Sequence, residues 1–165
     1  MGQEVTHETC NFINAMVPKD YNNATTVVKY ISMKGYRYAT FVATTGTMAG
    51  SLAVLIKKAT AIAGTNAENA TVTKMWTNDA TPTTDALVET AVTANTFDLD
   101  VAQSTYVVEI DAATLGLNAT SGLPNDCILF HTVCTANANL VSCVCILSNS
   151  RYQSAPNPEP NPLLD

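Results

Sequence analysis

Apolar and polar residues alternate with a period of two along much of the chain, the spacing of a strand with one buried face. From Thr25 onward, Val28, Tyr30 and Ser32 alternate with Val27, Lys29 and Ile31, and Lys34-Gly35 then marks a turn. Tyr36 to Thr44 (YRYATFVAT) is aromatic and β-branched and reads as a second strand. A glycine-bounded loop, Gly46 to Gly50, leads to a third strand, in which Leu52, Val54 and Ile56 alternate with Ala53, Leu55 and Lys57. The short connection predicts that these two strands form a hairpin. Further strands are predicted over Thr71–Thr77, in one or two pieces between Leu87 and Leu99 with a break at Ala94-Asn95, and over Thr105–Asp111. Cys127 to Cys134 and Leu140 to Ser148 are nearly continuous apolar runs, which predicts a central hairpin buried on both faces.

The alternation fails at both ends. In residues 1–24, Phe12, Ile13, Met16 and Val17 cluster before Pro18, as in a short helix or an arm lying on a neighbour. In Arg151 to Asp165, prolines at 156, 158, 160 and 162 remove backbone donors and favour an extended chain, which ends on Leu163-Leu164. Ala112 to Gly116 has room for one helical turn only. The expected organisation is an N-terminal arm (1–24), a β domain (25–150) and a Pro-rich C-terminal arm (151–165). The fold class is all-β, an antiparallel β-sandwich or a jelly-roll-like barrel.

Composition narrows the partners. The 165 residues suit one domain with a real core, and 24 Thr and 22 Ala make small and β-branched residues dominant. Charged residues are 13%, about half of the roughly 25% usual for soluble domains, and the net charge is -6. That balance excludes nucleic acid or an anionic membrane as the main partner, since both need clustered Lys and Arg. No apolar run approaches the roughly 20 residues of a spanning helix. The first residues, with Glu4 and Glu8, lack the basic region of a signal peptide, so synthesis is expected in the cytoplasm. Five cysteines, an odd number, then read as reduced thiols, and the sequons at Asn23, Asn69 and Asn118 as chance products of a Thr-rich chain.

Candidate chemistry is sparse. If the last hairpin forms in the simplest register, Cys127, His131, Cys143 and Cys145 share one sheet face, with donor types that suit zinc. Their apolar neighbours favour buried thiols and a core histidine instead. Asp98/Asp100 and Glu109/Asp111 each put two carboxylates on one strand face. These read as solvated strand edges, because no calcium-loop composition surrounds them. Tyr30, Tyr36, Tyr38 and Phe41 would form either a sugar-binding stripe or sheet packing, with packing preferred. The expectation is a non-enzymatic chain with no catalytic, cofactor-binding or metal-binding residues.

The segment Gly35-Tyr36-Arg37-Tyr38-Ala39-Thr40-Phe41, then Met48-Ala49-Gly50-Ser51-Leu52, Leu55-Ile56-Lys57-Lys58-Ala59-Thr60 and Ala63-Gly64-Thr65, resembles small virion-associated head proteins of tailed bacteriophages. Tyr106 to Leu115 (YVVEIDAATL) and Leu147 to Tyr152 (LSNSRY) resemble two later elements of the same group. The resemblance implies a virion structural protein, foremost a capsid decoration or cement protein. Its partners would be the major capsid protein and copies of itself, and its place the capsid of the virion. A head–tail connector or tail-completion protein is the alternative within that class, and a carbohydrate-binding module using Tyr36 and Tyr38 is the alternative outside it. The residues expected to make intersubunit contacts are Phe12, Ile13, Met16, Tyr152, Leu163 and Leu164, the apolar and aromatic residues of the irregular ends.

Overall fold

The computed structural model describes residues 10–21, 29–78, 86–133 and 138–150. They form two antiparallel sheets packed face to face. Eleven strands are present: β1 (Cys10–Tyr21), β2 (Ile31–Ser32), β3 (Tyr36–Met48), β4 (Leu52–Ala59), β5 (Glu68–Asn69), β6 (Lys74–Asn78), β7 (Val88–Ala91), β8 (Thr96–Leu99), β9 (Thr105–Asp111), β10 (Cys127–Val133) and β11 (Asn139–Ser150). Sheet A runs β1-β11-β3-β9-β6-β7. Sheet B runs β2-β10-β4, with β8 and β5 sharing the far edge of β4. The one helical turn expected after β9 is a 3-10 turn, Ala112–Thr114, capped by the Asp111 side chain. The expected all-β sandwich is therefore what forms.

The strands lie close to where alternation places them, but two expected hairpins do not exist. β3 pairs with β11 and β9, whereas β4 pairs with β10. β3 runs on through Gly46 to Met48, and the three residues Ala49–Ser51, rather than the expected loop at Gly46–Gly50, cross from sheet A to sheet B. β10 and β11 are central as expected, but in opposite sheets. The Asn139 side chain, fully buried at the second crossover, explains how both corners hold. Its Oδ1 accepts from the amides of Ala49 (3.0 Å) and Gly50 (3.3 Å), and the Ala49 amide also reaches the Ala138 carbonyl at 3.1 Å. The backbone of these half-exposed corners still needs partners, and here one buried carboxamide serves the two crossovers.

The core fills the space between the sheets. Ala39, Phe41 and Ala43 of β3, Cys143, Cys145 and Leu147 of β11, and Val108 of β9 point inward from sheet A. Leu52, Val54, Ile56, Ile128, Phe130, Phe97 and Leu99 meet them from sheet B. Phe41 and Phe130 touch across the sandwich with ring centroids 5.4 Å apart and tilted by 51°, and Phe97 stands edge-on to Phe130 at 6.0 Å. A smaller cluster of Tyr30, Ala59, Cys127 and Leu129, with Ile62 against it, covers the outer side of sheet B. There the Tyr30 ring lies so close to Gly64 (φ +77°) that an added Cβ would come within 2.7 Å of it.

Residues 10–21 form an edge strand rather than the short helix or free arm expected. Register shifts between Asn14 and Met16, and again between Met16 and Lys19, mark two bulges. The first bulge lets Ile13 and Met16 both point inward, so an i, i+3 spacing that looks helical belongs to a strand. Pro18 sits in the second, where its missing N–H costs no ladder bond. Lys29 donates to the Asn14 carbonyl at 3.0 Å, so bulges, proline and lysine together guard this edge against further strand pairing.

Candidate functional site

Among the described residues the outward side of sheet A presents an apolar surface. Cross-strand register builds it row by row. Phe12 of β1 faces Ile146 of β11, which faces Thr40 of β3 and then Glu109 of β9. In the next row Asn14, Val144, Val42, Val107 and Trp76 follow one another across five strands. A third row holds Ser142, Thr44, Thr105 and Asn78, with the Ser142 and Thr44 hydroxyls 2.7 Å apart. On β1, β11 and β3 these rows carry no charged side chain. Phe12 is 51% exposed and Val144 38% exposed, and Leu140 adds a further exposed aliphatic group near the β11 start. A solvated sheet face is normally polar, so an uncharged face of valine, isoleucine, phenylalanine and threonine is the mark of a contact surface.

A second apolar feature is a rigid loop. Leu117 and Leu123 are 66% and 56% exposed, yet the backbone that presents them is closely tied. Asn118 Oδ1 accepts from the Thr120 and Ser121 amides and the Ser121 hydroxyl, and its Nδ2 donates to the Asn66 carbonyl at 2.7 Å. Beneath, Lys58 pairs with Glu68 at 3.3 Å and donates to the Leu115 carbonyl at 2.7 Å, while Asn125 donates to Glu68 at 2.8 Å. The Asn125 hydrogen bond is the leading reason that the Glu68 carboxyl lies below its usual range, with the neighbouring Lys58 adding to it. Exposed leucines on a pre-ordered loop bind at little entropic cost. The same bonds occupy the buried Asn118 side chain, so this sequon does not present an accessible carboxamide.

At the β9 side of the sheet A face, a groove of about 380 Å³ opens between Tyr38, Trp76, Lys74, Glu109 and Asp111. Val72 and Ile110, both buried, form its apolar floor. Arg37 lies over the Tyr38 ring at 4.9 Å and pairs with Asp111 at 3.8 Å, and Lys74 pairs with Glu89 at 2.9 Å. The carboxylates Glu109 and Asp111 do share a strand face, and they line this groove. Trp76 was missed as a candidate because a lone tryptophan in a short strand carries no spacing signal.

The other expected residues are dispersed. Phe12 lies on the exposed sheet A face, but Ile13 and Met16 are buried in the chain's own core. Tyr152, Leu163 and Leu164 lie outside the described residues. Tyr30, Tyr36 and Phe41 are buried, so the aromatic stripe reduces to Tyr38. Cys127 and His131 belong to β10 in sheet B, and Cys143 and Cys145 to β11 in sheet A, so the hairpin that would have gathered them is absent. Burial raises the Cys143 and Cys145 thiols well above their ordinary range. Burial also lowers the His131 imidazole, with the charge of Lys57 adding to the effect. Asp100 is bound up locally: the Tyr106 hydroxyl donates to its carboxylate at 3.2 Å and accepts from the Asp100 and Val101 amides.

No helix among the described residues is long and apolar enough to cross a membrane. No family model matches this sequence, and its comparison with curated proteins returns no match.

Proposed function

We propose that this chain is a non-enzymatic structural protein of a tailed-phage virion, a decoration or cement protein that binds the outside of the capsid lattice. The observation that carries this reading is the uncharged part of the sheet A face on β1, β11 and β3, where Phe12, Ile146, Val144 and Val42 lie in adjoining rows with Val107 of β9 beside them. The resemblance of the Gly35–Phe41 segment and the later motifs to phage head proteins supplies the partner class.

The mechanism is mechanical. The sandwich, locked by its Phe41–Phe130 contact and by Asn139 at its corners, is the rigid body. The sheet A face lies on the major capsid protein, and the Leu117–Leu123 loop offers a second point of contact to a neighbouring copy. Each contact is modest, and many copies on one lattice give retention through multivalency. The Pro-rich tail 151–165, which lies outside the described residues, is the further contact this reading calls for, so deleting 153–165 leaves the sandwich folded and weakens attachment.

The test is co-sedimentation of the purified chain with capsid shells that lack it. Wild type binds to saturation, and Val144→Glu, which puts a charge in the middle of the face, does not. Equal binding by the two proteins contradicts the reading.

A further inference from the structure

We infer that the groove between Tyr38 and Trp76 is a binding site for an uncharged saccharide. The inference stands on the groove alone and does not depend on the virion reading. Its volume of about 380 Å³ falls at the lower end of the roughly 300–1,000 Å³ of small-ligand sites. A sugar ring has an apolar C–H face and a rim of hydroxyl donors. Recognition therefore needs an aromatic plate, an apolar floor and fixed acceptors at the rim. The groove has all three: Trp76 as the plate, Val72 and Ile110 as the floor, and Glu109 and Asp111 as acceptors. Hydroxyl donors bind a carboxylate through charge-assisted hydrogen bonds, stronger than neutral ones.

The charges set the ligand class. Aromatic rings beside carboxylates also attract cations, but the chain fills that role itself: Arg37 lies over Tyr38 and pairs with Asp111. Lys74 at the rim is committed to Glu89. Among the described residues nothing pairs with Glu109, which is exposed at the groove. An acidic sugar would meet two carboxylates with both nearby cations already engaged. An uncharged saccharide meets neither penalty, and Glu109 is the acceptor left to it.

Trp76 is the chain's only tryptophan, so emission excited selectively from tryptophan, and not from the six tyrosines, reports on this groove alone. The full chain is titrated with linear oligosaccharides of glucose, mannose, galactose and N-acetylglucosamine to millimolar concentration. Choline and a sulfated oligosaccharide are run beside them. The expected result is a saturable change with at least one neutral series and none with the two charged probes. Glu109→Gln and Tyr38→Ala then weaken that binding about tenfold, the scale of one lost charge-assisted contact, at an unchanged thermal midpoint. Calorimetry with Trp76→Ala, which has no tryptophan to report binding, gives at least the same loss. No response to any neutral series overturns the inference, as does preferential binding of choline or the sulfated probe, or full affinity in Glu109→Gln.

Discussion

The side-chain oxygen of Asn139 accepts a hydrogen bond from the Ala49 amide at 3.0 Å, joining the β10–β11 crossover to the β3–β4 crossover. Ninety residues separate the two in sequence, and the bond closes the end of the sandwich where both chains change sheets. Asn139→Ala leaves the half-buried Gly50 amide without this acceptor and the exposed Ala49 amide with only Ala138. A loss of about 1 kcal/mol is expected in urea unfolding, the net worth of a hydrogen bond that water can replace. An unchanged midpoint would show that the corner is held by something else.

The Phe41–Phe130 contact is the aromatic link between the sheets. Either residue changed to alanine costs about 3–5 kcal/mol, since each ring is buried and leaves a cavity. The double variant should lose less than the sum, with a coupling of about 0.5–1.5 kcal/mol from the ring pair itself. Strict additivity would mean that the rings pack against their neighbours independently.

The buried titratable groups set a pH window. The folded chain holds the Cys143 and Cys145 protons, whose thiols burial has raised, whereas the unfolded chain releases them above about 8.5. The unfolded state then binds fewer protons, so stability falls as pH climbs past that value. On the other side, the folded His131 has a lowered pKa, and the unfolded imidazole takes up a proton below about 6.5. Stability therefore also falls as pH drops below that value, and His131→Gln flattens the acid limb alone. Denaturant midpoints measured across pH check both limbs. A midpoint that rises on the alkaline side would contradict the buried thiols.

Strand positions were legible from alternation because β3, β4 and β9 each bury one face, and the sets Leu52, Val54, Ile56 and Tyr106, Val108, Ile110 each fall together on the buried one. Pairing was not legible. A five-residue loop reads as a hairpin, and nothing local to Gly46–Gly50 announces that Asn139, far along the chain, turns it into a crossover. β1 escaped because its bulges break the period of two, leaving Ile13 and Met16 at a helical interval. The apolar run in β11 suggested burial on both faces, yet Val144 and Ile146 lie on the uncovered side. The same pattern in β10 is covered, by Tyr30 and Ile62. Composition alone does not separate a covered second face from an adhesive one.

The proposed contact face gives a direct mutational prediction. Phe12→Asp and Val107→Lys, both on the outward rows, leave the thermal midpoint within a few degrees, because neither residue fills the core. Both reduce binding to capsid shells, and a change on the opposite sheet, Asp98→Asn, does not. Particle-binding assays with the three variants decide it. Equal loss in all three would point to unfolding rather than to the face.

The central claim is tested most directly by counting this chain in particles purified from its source, relative to the major shell protein, by quantitative mass spectrometry. The account predicts a ratio near one, or a simple lattice fraction of it. A handful of copies, on the order of a single closed ring, would contradict decoration and place the chain at the connector or tail. Its absence from particles would contradict a virion role altogether.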